Sequence, residues 1–303
     1  MTSLENAVLR STKLRPRTKE LYLQHVRAFL SFLNPDGEAV EVSIKQFTVD
    51  NAAAWCADMR ARRIKAQSVN VALNALRFAA RKAKLKFADD IATLPVRPQR
   101  KSKARIKADR PLRWEEGRRL VDACQGSEPR DLRDAAIVML GLRTGMLRFS
   151  MCQLQFSDLA QNGADTMLTF VKKGGERHTI VLDPVTLYAL TSWMDWLRNH
   201  DVTDGSIFRS LGRDRVRLRV GIAIGDKLTP DGLYRAVQLR ARLAKLPDLS
   251  PHVFRKTFIA WAKKESARPA QIAAVTGHKS DAAGDDGTAT PAANFLLADL
   301  SKE

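Results

Sequence analysis

The segment SPHVFRKTF (250–258) places His252 three residues ahead of Arg255, and VTGHKS (275–280) brings a second histidine, His278, twenty-three residues after that arginine. Upstream, VKKGGERHTIVL (171–182) sets Lys172 and Lys173 before two glycines. An arginine offers a planar fork of donors that matches the oxygens of a phosphate. A histidine donates a hydrogen bond or moves a proton near neutral pH. Cationic donors of these types suit a polyanionic ligand. Taken singly they are weak signals: a histidine three residues before an arginine occurs by chance, His252 could cap a helix, and Lys173 could be an ordinary turn lysine.

The composition agrees with a polyanionic partner. Lys and Arg number 51 against 33 Asp and Glu, a formal net charge of +18. A surplus of that size concerns partners rather than fold, and the obvious polyanion is nucleic acid. With 303 residues, 45% of them hydrophobic, the chain can bury a core and has room for two domains. Its cysteines, Cys56, Cys124 and Cys152, are odd in number and widely spaced, which argues against a disulfide framework and a zinc site. There is no P-loop and no cluster of acidic metal ligands. The start, MTSLENAVLR, lacks a signal-peptide pattern, and no window holds eighteen uninterrupted apolar residues. A cytoplasmic protein facing DNA or RNA is expected.

The elements that must position these residues can be read from period and punctuation. The first hundred residues are helical in pattern. RTKELYLQHVRAFLSFL (17–33) is stopped by NPDG, a second helix starts at TVDN (48–51), and SVNVALNALRFAARKAKL (68–85) is a third with Ser68 as its cap. Lys13 and Arg15 ahead of the first of these, and Arg17 at its start, are candidate phosphate contacts. VRPQRKSKARIKADR (96–110) has seven basic residues, one acid and almost no apolar period. It is expected to be a linker, and its Arg100, Lys101, Lys103, Arg105 and Lys107 could also lie along a phosphate backbone. Beyond it, 112–124 and 130–142 look helical, and two β-type runs flank KKGG as a hairpin. Asp183–Pro184 and Thr229–Pro230 each open a helix. RDRVRLRV (213–220) alternates and fits a short strand with Arg215, Arg217 and Arg219 on one face, either a solvated edge or a phosphate contact.

With these elements in order, the chain resembles the tyrosine recombinase (phage integrase) family along both halves. SPHVFRKTF is similar to that family's His-x-x-Arg box and QIAAVTGHKS to its Gly-His box. The resemblance implies a mainly α fold with a small antiparallel sheet (α+β). It would have a helical SAM-like DNA-binding domain (1–97), a basic linker (98–110) and a catalytic domain (111–303), together a C-shaped clamp on double-stranded DNA. The implied function is site-specific recombination by strand cleavage and rejoining, in integration, excision or transposition. Arg255 would clamp the scissile phosphate, His252 and His278 would hydrogen-bond around it, and Lys173, with Lys172 as the alternative, would protonate the leaving 5′-oxygen. No metal or nucleotide cofactor is implied, because a phosphotyrosyl bond conserves the phosphodiester energy. Self-association on DNA as a dimer or tetramer, other recombinase subunits as possible partners, no membrane, and a bacterial or phage-type, nucleoid-associated location are also implied.

Two positions depart from the family pattern. In RTGMLRFSMCQLQFSDL (143–159) the frame of the family's first arginine falls on Leu147; Arg148 is one place late and Arg143 one helical turn early. A loop slip would bring Arg148 to the phosphate. The nucleophile frame after the Gly-His box falls on Gly287, and the tyrosines of the chain are Tyr22, Tyr188 and Tyr234. FLLADL (295–300) is similar to the family's YLHADL, which puts Phe295 in the tyrosine slot, where it would pack without reacting; the alternative is a plain tail residue packing on the core. The alternative is a non-catalytic DNA-binding relative, accessory or regulatory; a related topoisomerase is a weaker third.

Overall fold

The computed structural model describes residues 2–35, 42, 44–94, 109–172, 175–213, 222–250 and 252–277. The chain divides into two compact units, Met1–Lys101 and Ser102–Glu303.

The first unit is helical: α1 (Ser3–Leu9), α2 (Pro16–Leu33), a 3-10 turn (Ile44–Gln46), α3 (Val49–Ala61), α4 (Ala66–Lys82) and α5 (Phe87–Ala92). Local chemistry sets several starts. Thr2 and Glu5 form a reciprocal capping box on α1, and the Thr48 hydroxyl accepts from Asn51 N at the head of α3. Val69, Leu73 and Leu76 of α4 lie three or four residues apart and fall on one buried face, meeting Val26 and Phe29 of α2 and Trp55 of α3. Ser68 does not cap α4. The helix begins at Ala66 after Lys65, because Arg63 turns the chain at φ 58° and Ile64 N donates back to Met59 O. Ser68 therefore lies inside the first turn.

The second unit holds α6 (Trp114–Asp122), α7 (Pro129–Thr144), α8 (Arg148–Gln153), a three-stranded antiparallel sheet β1 (Leu159–Asn162), β2 (Asp165–Val171), β3 (Arg177–Val181), then α9 (Pro184–Arg198), a two-stranded ribbon β4 (Arg209–Arg213) and β5 (Ile222–Lys227), α10 (Pro230–Leu243), α11 (Val253–Lys264) and α12 (Pro269–Thr276). Asp183 and Thr229 cap α9 and α10 with proline at the first position, as the sequence pattern indicates. Helix α7 is buried on most of its surface. Gly141 leaves it open where the Phe254 ring of α11 packs. Arg240 of α10 pairs with Asp131 and Asp134 at 2.8 Å each, and Arg133 also binds Asp134, so a buried ionic knot ties α7 to α10.

The β2–β3 hairpin forms around KKGG, with Phe170 opposite His178 and Leu168 opposite Ile180. The Arg-rich run read as a strand, with Arg215, Arg217 and Arg219, lies between the described strands β4 and β5, outside the described residues. The linker cations Arg100, Lys101, Lys103, Arg105 and Lys107 also lie outside them. Cys56, Cys124 and Cys152 are buried and unpaired; burial raises the thiols of Cys124 to about 12 and Cys152 to about 11. Among the described residues no helix is long and apolar enough to cross a membrane.

Candidate phosphate site

His252 is the residue before α11 and is exposed; its side chain caps nothing, and its carbonyl accepts from Lys256 N at 3.1 Å. Arg255 stands in the first turn of that helix, where the positive end of the helix dipole favours an anion. Val253, Phe254 and Phe258 bury the other side of the turn. The Arg255 guanidinium is half-buried, and among the described residues it has neither a hydrogen bond nor an ion pair. Burial alone lowers its pKa, although an arginine in this range stays charged. An uncompensated, partly desolvated cation at a helix start is the feature expected of an anion site.

Two other segments meet at a ring its charge reaches. His178 of β3 is near enough that the charges of Lys172 and Arg255, after burial as the largest cause, lower its pKa. Its Nε2 lies 2.6 Å from the carbonyl oxygen of Ala274 in α12; a carbonyl only accepts, so Nε2 carries the hydrogen. Gly277 ends α12 at φ +68°. A Cβ there would stand 2.7 Å from Lys172 Cδ and 3.0 Å from His178 Cδ2. The backbone before His278 therefore lies flat against the lysine stem and the imidazole. Lys172 itself pairs with Glu176 across the turn at 2.9 Å. Lys173, His278 and Phe295 lie outside the described residues.

The two arginines near the first box have different surroundings. Arg143 is buried on α7 and pairs at 2.8 Å with Asp183, the cap of α9. Arg148 opens α8, with Nη1 3.3 Å from Pro230 O and 3.4 Å from Asp231 Oδ1, and its guanidinium 5.8 Å from the centre of the Tyr234 ring. Leu147 is the half-buried residue before α8. The Ser150 hydroxyl donates to Val171 O at 2.6 Å, fastening α8 to the strand that ends at Lys172. His178 was not singled out by sequence reasoning. The available signal was period two: it shares a strand face with Ile180 and Leu182, where a histidine is out of place among apolar side chains.

In the first unit Arg15 precedes α2, and Lys13, Arg15 and Arg17 are exposed. Lys13 lines a pocket of about 420 Å³ with Asn74, Arg77, Phe78, Arg81 and Lys82. Arg77 is committed to the carbonyls of Ile91, Ala92 and Leu94; Arg81 and Lys82 are exposed.

The phage integrase family matches residues 110–283, and its N-terminal SAM-like domain matches residues 4–84. The chain belongs to the phage integrase family. It is 26% identical over 159 residues to the tyrosine recombinase XerC of Corynebacterium glutamicum, a match covering 52% of this chain and 47% of that protein. The chain thus spans about half the length of that curated relative. Among solved structures it is similar in fold to a lambda integrase (75-356) dimer bound to a COC' core site, with TM-score 0.62, 17% identity, and coverage of 92% of this chain and 94% of that one. A lambda integrase tetramer bound to a Holliday junction gives TM-score 0.63 and 16% identity, covering 94% and 78%.

Proposed function

We propose that this chain binds double-stranded DNA as a site-specific recombinase of the tyrosine type, in which residue 295 holds the nucleophile slot and carries no hydroxyl. The observation that carries the reading is Arg255: a half-buried guanidinium in the first turn of α11, without a hydrogen bond or ion pair among the described residues, whose charge reaches the His178 ring that packs against Gly277. The proposed division is a helical DNA-binding domain (1–97), a basic linker (98–110) and a catalytic domain (111–303), working in the cytoplasm and assembling on DNA as paired protomers.

In the proposed site Arg255 and His252 hold the non-bridging oxygens of the scissile phosphate, Arg148 adds a second guanidinium, and His278 donates a further hydrogen bond. Charge grows on those oxygens in the transition state, and removal of one such donor costs about 3–4 kcal/mol, a hundred- to a thousandfold in rate. With a tyrosine in the slot, its hydroxyl gives its proton to solvent as its oxygen bonds to phosphorus, the bond to the 5′-oxygen breaks, and Lys173 gives that oxygen its proton. Phe295 has no oxygen for the first step, so the chain as written binds and stops there.

The test is a suicide DNA substrate, which traps a covalent adduct. The chain as written is expected to give none, and Phe295→Tyr is expected to give one. A Tyr variant that binds DNA and never forms the adduct refutes the slot assignment. That outcome favours the second reading, a DNA-binding accessory relative, to which Leu147 in the frame of the first arginine also points.

A further inference from the structure

We infer that His178 is a positioning residue of the phosphate site, joining Lys172, the residue after β2, to the last turn of α12, the helix that packs against the Arg255-bearing α11. The inference rests on the reading of Arg255 as the phosphate clamp and adds a residue to it.

Three contacts hold the ring. The carbonyls of the last helical turn have no partner within the helix. Gly277 N satisfies Ala273 O, and the Nε2–H of His178 reaches the next carbonyl, Ala274 O, from a different element. The Phe170 ring, opposite His178 in the β2–β3 register, meets it edge-on at 5.3 Å between centroids. Gly277 closes the third side: a Cβ there would come within 3.0 Å of Cδ2 and 3.2 Å of Cγ. The same Cβ would clash with the Lys172 stem at 2.7 Å, so ring, lysine and helix end interlock at one point. Among the described residues Nδ1 has no partner, which leaves Nε2–H as the polar tie across the joint. The ordinary structural use of a histidine on an apolar strand face would not need Arg255 and Lys172 as neighbours. Here the charges of both cations act on the ring, and among the described residues no ion pair anchors Arg255.

The joint is measured first in the free chain, by amide hydrogen exchange followed by NMR. In His178→Leu the amides of Lys172 and Gly277 are expected to exchange about tenfold faster together, since the hydrogen bond across the joint is lost. His178→Gln, whose terminal amide can donate where Nε2 does, is expected to restore most of the protection and remains informative if the Leu variant does not fold. Parent-like exchange at both amides in the Leu variant, or loss at one amide only, overturns the inference. In the Phe295→Tyr background, adduct formation is expected to fall at least about tenfold with His178→Leu and to recover with His178→Gln. An adduct rate left unchanged by His178→Leu overturns positioning. If Phe295→Tyr alone gives no adduct, the slot assignment fails, and the exchange result by itself decides whether His178 makes the joint.

Discussion

Arg255→Met separates a ligand-binding arginine from a structural one. Methionine keeps an unbranched stem of similar length, so contacts along the first turn of α11 survive while the charge and its donors go. Arg255 has no carboxylate or carbonyl partner among the described residues, and burial already disfavours its charged form. Nothing in the free protein is therefore unpaired by the change, and stability is expected to stay within about 0.5 kcal/mol of the parent or to rise. For a unit of this size that is a melting shift of about 1–2 °C. The comparison is Arg240→Met: Arg240 is buried and paired with Asp131 and Asp134, so the same substitution strands buried carboxylates and is expected to cost about 3–5 kcal/mol. DNA affinity of Arg255→Met should fall modestly, with the slope of log affinity against log salt reduced by about 1, as for the loss of one phosphate contact. In the Phe295→Tyr chain the cleavage rate should fall about a hundred- to a thousandfold. Thermal melts, salt-dependent binding and the suicide substrate read the three quantities. A variant that melts as low as Arg240→Met, with an unchanged salt slope, would refute the reasoning and make Arg255 a structural residue.

Gly277→Ala is expected to lose about 2–3 kcal/mol, against about 1–2 for Gly163→Ala, because both have positive φ but only Gly277 has Lys172 and His178 within reach of a new Cβ. Equal losses by urea melts would mean the contact at Gly277 is easily relaxed. Burial lowers the pKa of His178 and of His25, so the folded chain binds fewer protons than the unfolded one: stability is full above the ordinary value of 6.5 and declines as pH falls below it. Urea midpoints of His178→Gln should lose the second unit's share of that decline, and a parent midpoint flat across this window counts against it; the stability from Glu116, lowered to about 2 mainly by the hydrogen bond Arg110 donates to it, is full above 4.5 and is lost only as pH falls below that. Lys173→Ala in the Phe295→Tyr chain should slow adduct formation and be rescued in part by a better 5′-leaving group; without rescue, Lys172 becomes the first alternative.

Legibility followed the strength of local signals. Asp183–Pro184 and Thr229–Pro230 stated their helix starts outright, and KKGG between β-type runs stated its hairpin. The start of α4 was missed because the turn before it uses Arg63 at φ 58°, a conformation for which the usual signal is a glycine. The β4–β5 ribbon was hidden by a register shift and by glycines inside both strands, Gly212 and Gly225. His252 and Arg255 stood out through a motif. His178 did not, because its importance comes from pairing across the fold, with Ala274 almost a hundred residues away, and no local pattern encodes that.

The same difference between local frame and spatial partner bears on the first-box arginine. Arg143 lies one helical turn before Leu147, within reach of the frame if spacing alone is considered. Its partner, however, is Asp183, whose other contacts are the Thr186 backbone amide at 3.1 Å and hydroxyl at 2.6 Å. Lending Arg143 to a phosphate would unpair a mostly buried carboxylate and loosen the start of α9, a loss of about 3–5 kcal/mol. Arg148 is held by an exposed aspartate at 3.4 Å and a carbonyl at 3.3 Å. Exposed pairs of that kind contribute about 0–1 kcal/mol, so a doubly liganded phosphate oxygen competes with them easily. Ser150, in the first turn of α8, ties that helix to the strand leading into Lys172. In the proposed reading the second guanidinium is therefore Arg148: it is the arginine of the pair whose present contacts are weak enough to exchange for a phosphate.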